Sequence, residues 1–231
     1  MDKGKLYGIG VGPGDPSLLT LKAVETINKC RFIATPQSGA GDNVALSIVK
    51  AKVDLKDKNI IELDLPMIRD KEKLYESHRA AAKKVIEVLD SGQDIGFLTL
   101  GDPSIYSTYG YIHNIVKSLS YDVEIIPGIT SFCAAASSLN SILVLGNEPL
   151  HIMPMSHRDS SEVESLHGCK VLMKSGKGIK KLINDVNSNG NSEISIVERA
   201  SMENQRVFRN VNRIDDDLSY FSLVVIKDGI K

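Results

Sequence analysis

The stretch KLYGIGVGPGDPSLLTLKAVETINKCRFIAT, Lys5–Thr35, decides the architecture. Lys5 to Val11 reads as a strand, the glycines and prolines between Gly8 and Pro16 as a turn, about Leu18 to Lys29 as a helix, and Arg31 to Thr35 as a second strand. A strand, a helix and a strand in so short a span form a βαβ unit, which commits both strands to a parallel sheet. The pattern then repeats. Asn59 to Leu63 reads as a strand, Asp70 to Asp90 as a helix with Ala80, Ala81, Val85 and Val88 on its inner side, and Ile95 to Leu100 as a buried strand. Gly92 sits where a helix C-cap belongs. The turn GDPSIYS comes next, then a helix from Thr108 to Leu119, the strand Val123 to Ile126, and a third turn at Pro127-Gly128 leading into a helix from Thr130 to Ser138. Arg69 and Lys71 read as a solvated helix start.

Beyond that point strands predominate: Leu150 to Met155, Lys170 to Lys174, Ile194 to Arg199, Arg206 to Val211 and Phe221 to Lys227, with one clear helix between Gly178 and Asn187. The change of rhythm places a domain boundary near Ser118 to Tyr121. It predicts an N-terminal parallel α/β domain over residues 1–119 and a C-terminal mixed-sheet α/β domain over 120–231.

The composition of this 231-residue chain, 42% hydrophobic and 25% charged, excludes disorder and fibrous classes. A net charge of −1 argues against a broad nucleic-acid footprint. The 3 cysteines, Cys30, Cys133 and Cys169, are too few and too scattered for a disulfide framework or a paired zinc site, which points to a reducing compartment. No apolar leader precedes the first strand and no run is long enough to span a bilayer, so the expected location is the cytoplasm, with no membrane partner.

In open parallel sheets ligands gather at the carboxyl ends of strands, so the turns after Val11, Leu100 and Ile126 are where a site belongs. Glycine alone carries little weight, because tight strand-to-helix turns need it for backbone reasons. Asp15 suits either a helix N-cap or a contact to a polar ligand. A dinucleotide fingerprint fails: Gly8 and Gly10 are followed by Pro13 where the third glycine belongs, and Ala34-Thr35-Pro36 ends the second strand without a ribose-binding acid. A P-loop fails too, since Gly176-Lys177 is followed by Gly178 and Val171 stands at the first glycine position. His78, His113, His151, His157 and His167 lack metal-ligand spacing, so no metal is expected, and G-x-S-x-G is absent. What remains is a set of backbone-rich turns with small hydroxyl residues and few ionisable groups, suited to positioning two bound molecules.

Three segments, GVGPGDPSLLTLKA at Gly10–Ala23, GDPSIYST at Gly101–Thr108 and PGITSF at Pro127–Phe132, resemble the signature segments of tetrapyrrole methylases. The likeness continues through VLMK at Val171–Lys174 and VERAS...QRV at Val197–Val207. Within the family, LPMIRDKEKLYESHRAAAKKV at Leu65–Val85 is similar to enzymes that methylate carbon 20 of precorrin-2 or its cobalt form.

The resemblance implies a two-domain fold with the active site in the cleft between domains, S-adenosyl-L-methionine as methyl donor, a small-molecule tetrapyrrole as acceptor, and a homodimer. It implies cofactor contacts from Pro13, Leu100, Gly101, Asp102, Ile105, Thr130 and Ser131, completed by Met173 and Ala200. For the many carboxylates and the ring nitrogens of such an acceptor, the substrate candidates are Lys174, Tyr220 and Asp102. Met173 by itself reads as core packing, and Tyr106, Tyr109 and Tyr111 as core or interface aromatics. No general base is assigned, because an electron-rich macrocycle supplies its own nucleophilic carbon. Two alternatives stay open: another acceptor such as uroporphyrinogen III or a later precorrin, and a non-catalytic module that binds S-adenosylmethionine and signals.

Overall fold

The computed structural model describes residues 3–37, 43–68, 70–155, 160–174, 179–188, 192–209, 211 and 218–228; Arg69, His157 and the Gly176-Lys177 pair lie outside them. The chain divides into two compact units, Met1–Thr130 and Ser131–Lys231. The first holds β1 (Leu6–Gly10), α1 (Leu21–Lys29), β2 (Phe32–Pro36), α2 (Val44–Lys50), β3 (Asn59–Leu63), α3 (Lys71–Asp90), β4 (Ile95–Thr99), α4 (Tyr109–Ser118) and β5 (Val123–Ile126). Its five strands are all parallel, in the order β3-β2-β4-β1-β5.

Side chains alternate across a strand, and β1 follows that period: Tyr7, Ile9 and Val11 pack with α1 and α2, while Leu6 packs with α3 and α4. Gly8 shares the second face. A Cβ there would stand 2.1 Å from the ring of Tyr109, which is 1% exposed and tilts against Phe97. The Tyr109 hydroxyl meets His113 Nδ1 at 3.0 Å. Of the three tyrosines Tyr106, Tyr109 and Tyr111, Tyr109 is therefore core. Tyr111 stacks on the buried His78 at 4.4 Å between ring centroids, and Tyr106 is exposed in the left-handed region at φ 46°.

Several boundaries differ from the sequence reading. The division falls after Thr130, because Val123–Ile126 pairs with β1, Leu6 opposite Val123 and Ile9 opposite Ile126. The segment Ser118 to Tyr121, which resembles a linker in composition, is the last residue of α4 and the start of the short loop to β5, turned by Ser120 at φ 62°. On α3 the inner stripe is His78, Ala81, Ala82, Val85, Val88 and Leu89. Ala80 is exposed, lying about 200° from His78 around the helix axis. Asp70 caps α3, accepting from the amides of Glu72 and Lys73, and Gly92 closes it at φ 75° with its amide donating to Leu89 O. A further helix, α2, starts at Asn43, whose side chain accepts from Leu46 N at 3.1 Å and donates to Pro36 O at 2.9 Å.

The second unit holds α5 (Ser131–Leu139), β6 (Leu150–Pro154), α6 (Ser160–Glu164), β7 (Cys169–Met173), α7 (Ile179–Ser188), β8 (Ser192–Glu198), β9 (Arg206–Phe208) and β10 (Ser222–Asp228). Its sheet is mixed, ordered β6-β7-β10-β8-β9, with β6 and β7 parallel and the other neighbours antiparallel. Ile183, Leu172, Ile196 and Val224 form the core on the α7 side, and Ala135, Val171, Val197 and Val225 the core on the α5 side. β9 ends at Phe208, short of the run to Val211 read from sequence. No helix among the described residues is long and apolar enough to cross a membrane.

Candidate active site

The carboxyl ends of β4, β1 and β5 lie side by side, and their three turns are bonded to one another. Gly12 and Gly101 form a bridge, with Gly101 N donating to Gly12 O at 2.8 Å, and Val11 N donates to Thr99 O at 2.9 Å. Backbone then meets backbone. A Cβ on Gly10 would stand 2.5 Å from Gly128 N, and one on Gly128 would stand 2.2 Å from Gly101 O. These two glycines allow the close approach of the turns, a structural need that accounts for them without a ligand.

Gly101 is different. It holds φ 75°, and a Cβ built there meets nothing within 4 Å, so its face of the turn borders open space. Pro13 and Gly101 are buried, whereas Leu100, Asp102 and Ile105 are half-buried around the same turn ends. The Thr130 hydroxyl is buried without a hydrogen-bond partner among the described residues, an unspent group of the kind a bound molecule satisfies. Asp15 acts as an N-cap: its Oδ1 accepts from Ser17 N at 2.7 Å, holding the short 3₁₀ turn Pro16–Leu18. The helix proper begins later than the sequence reading placed it, with Thr20 as the N-cap of α1.

Asp102 spans two turns. Its Oδ1 accepts from Ser104 N at 2.8 Å and Ser104 Oγ at 2.5 Å, and its Oδ2 accepts from Gly128 N at 3.0 Å, 26 residues away in sequence. Burial raises the carboxyl pKa, but the bonds from Ser104 and Gly128 outweigh it and hold the group below the usual carboxylate range. A folded-state pKa below the unfolded one contributes stability that is complete above the unfolded value and lost as pH falls through the folded one. Asp102→Asn presents an amide N–H to the Gly128 N–H, and we expect a loss of about 1–3 kcal/mol at pH 7. Chemical denaturation across pH checks this: the gap from wild type should be constant near neutrality and close only below pH 4.

In the second unit the candidates share one sheet end. β7 and β8 are both antiparallel to β10 and hence run the same way, so Met173 with Lys174, and Glu198 with Ala200, stand at the same edge. Tyr220, just before β10, belongs to that edge too. Met173 and Ala200 pack in the α5-side core, and Ser131 is the first residue of α5. The chain is left-handed at Lys174 (φ 55°), Arg199 (φ 52°) and Ser201 (φ 64°), strained conformations that gather where ligands bind. Tyr220 is 42% exposed, its ring edge-on to Phe221. Glu198, which the sequence reading passed over, is 2% exposed and accepts from Arg206 Nε at 2.5 Å and Ser219 N at 2.7 Å. Burial raises its pKa, and Arg206 and Ser219 more than offset this, holding it at about 2. The described residues contain no group of three or more His, Cys, Asp or Glu able to hold a metal ion.

A family model described as Tetrapyrrole (Corrin/Porphyrin) Methylases matches residues 5–213, which span both units. The chain belongs to the tetrapyrrole methylases. It is 37% identical to a protein of Methanocaldococcus jannaschii named probable cobalt-precorrin-2 C(20)-methyltransferase, over 96% of each chain. It is 30% identical to the precorrin-2 C(20)-methyltransferase of a Sinorhizobium species, over 96% of this chain and 95% of that one. The uroporphyrin-III C-methyltransferase of Thermus thermophilus, solved with S-adenosyl homocysteine, superposes with a TM-score of 0.69 at 19% identity, over 97% of each chain, and shares the fold. As a tetrapyrrole methylase the chain carries the family's two α/β units, and S-adenosyl-L-methionine is the family's methyl donor.

Proposed function

We propose that this tetrapyrrole methylase is an S-adenosyl-L-methionine-dependent C-methyltransferase acting on carbon 20 of precorrin-2 or cobalt-precorrin-2, in corrin ring biosynthesis. The observation that carries the assignment is full-length identity of 37% and 30% to two enzymes named for that reaction. Pro13, Leu100, Gly101, Asp102, Ile105 and Thr130 of the first unit, with Ser131, Met173 and Ala200 of the second, are assigned to the cofactor. The open face of Gly101 and the unpartnered Thr130 hydroxyl support that set. Lys174 and Tyr220 are assigned to the acceptor's carboxylates. Asp102, the third acceptor candidate, has its two oxygens held by Ser104 and Gly128, so its part in the cofactor set is to fix the turn that carries Gly101, and it is not assigned to the acceptor.

When bound, S-adenosylmethionine supplies an electrophilic methyl group on a sulfonium. The protein's work is alignment: turns bonded to one another cannot spread, so whatever sits on Gly101 is held in one place. Methyl transfer releases the thioether, and the proton displaced from the ring carbon passes to water. Asp102 is ionised, but both of its oxygens are taken up by Ser104 and Gly128, and Asp15 is engaged as a cap, so neither is assigned as the base. The reading includes a homodimer, as the family resemblance implies, and a cytoplasmic location, to which the free thiols Cys30, Cys133 and Cys169 are suited as groups of a reducing compartment.

Anaerobic incubation of the purified protein with S-adenosylmethionine and each acceptor tests the proposal by mass spectrometry. We expect one added methyl group on precorrin-2, on its cobalt form, or on both. Turnover of uroporphyrinogen III with neither of those two modified would move the assignment to another acceptor. Cofactor binding with no methylated product from any acceptor would favour a regulatory module.

A further inference from the structure

We infer that Glu198 is a positioning residue, whose buried carboxylate, together with Gln205, holds the turn bearing Ala200 in the shape that receives the cofactor. The inference rests on the cofactor role proposed for Ala200. A carboxylate is costly to bury unless its oxygens are satisfied. Here both are: one takes Arg206 Nε from β9, the other takes Ser219 N from the approach to β10. Glu198 is thus bonded on both sides at the last residue of β8, immediately before the chain leaves regular structure.

The backbone just past Glu198 is strained. Arg199 and Ser201 bracket Ala200 with positive φ, and neither is a glycine. Such conformations persist only where the surroundings impose them. The restraints are specific. Arg199 N donates to Phe221 O at 3.0 Å and Met202 N to Arg199 O at 2.9 Å. Ser201 N donates to Gln205 Oε1 at 2.7 Å, and the same oxygen accepts from Ser138 Oγ of α5 at 2.8 Å. Arg206, opposite Glu198 in the β8–β9 register, comes directly after Gln205, so the ion pair also sets where the Gln205 side chain stands. The Glu198 and Gln205 side chains tie the two ends of the Ala200 turn to their neighbours, and neither residue is itself assigned to a ligand.

The test is calorimetric titration of S-adenosylhomocysteine into the full-length wild type, Glu198→Gln and Gln205→Ala, with steady-state kinetics and thermal melts on the same preparations. We expect both variants to bind the cofactor product about tenfold more weakly or worse. KM for S-adenosylmethionine should rise while kcat at saturating cofactor and KM for the tetrapyrrole stay within about twofold, a split that a general loss of folded protein does not produce. If Glu198→Gln does not fold, Gln205→Ala decides alone. Wild-type affinity in a folded Gln205→Ala, or lower melting points with unchanged affinity, overturns the inference while leaving the cofactor reading intact. A wild type that binds no S-adenosylhomocysteine removes the cofactor reading itself, and this inference with it.

Discussion

Gly101→Arg abolishes methyl transfer, by about 100-fold or more, in a protein that still folds. The two halves of that expectation have separate causes. Gly101 sits at φ 75°, so any side chain there costs about 1–2 kcal/mol of backbone strain, which a domain of this size tolerates. Its Cβ direction meets no atom within 4 Å, so the arginine is not forced into the core and projects into the space beside the turn. If that space belongs to the cofactor, the guanidinium fills it. Circular dichroism should be native, the melting point modestly lower, and S-adenosylhomocysteine binding undetectable by calorimetry. Wild-type affinity in this variant would remove the second turn from the site.

Gly128→Ala does the reverse and fails at the level of the fold. The added methyl carbon would lie 2.2 Å from Gly101 O and 2.8 Å from the Cα of Gly10. These are backbone atoms in paired strand ends, unable to rotate aside as a side chain does. Overpacking a core typically costs about 1–3 kcal/mol, and a backbone clash belongs at or above the top of that range. Spreading the turns also breaks the bond from Gly128 N to Asp102. Chemical denaturation should show a loss of about 3 kcal/mol or more, with activity falling in parallel. An unchanged unfolding midpoint would show that the turns are not held together as described. The two glycines thus make a matched pair: one change spares the fold and removes function, the other removes function through the fold.

Much of the first unit was legible because its signals are local. The βαβ opening, the long α3 with Asp70 before it and Gly92 after it, and the three glycine-proline turns each carry their own period or cap. Where the reading slipped, the deciding contact was distant in sequence. VALSIVK is short and β-branched, and becomes α2 because Asn43 caps it while bonded to Pro36 and because Ala45, Leu46, Ile48 and Val49 find the α1-side core. The domain boundary was misplaced because the pairing of β5 with β1 joins residues more than a hundred positions apart, and a polar αβ loop looks like a linker.

The site divides in the same way. Glycine and proline spacing marked the turns, but which glycine packs and which faces open space depends on the atoms opposite, and no spacing reveals that. Asp102 was visible as a candidate, yet its two partners were not. Glu198 carried one faint signal, an acid closing the strand-like stretch Ile194 to Val197. Such a residue reads as a solvated strand end until Arg206 and Ser219 are seen to meet it.

The Tyr109 ring occupies the volume that any side chain at Gly8 would need. The two positions therefore share a single parcel of space and must drift together: a lineage that acquired alanine at position 8 would have to trade the tyrosine for something smaller. That exchange would also strip His113 of its hydroxyl neighbour. Paired substitutions at 8 and 109, rather than single ones, are the form in which this part of the scaffold can evolve.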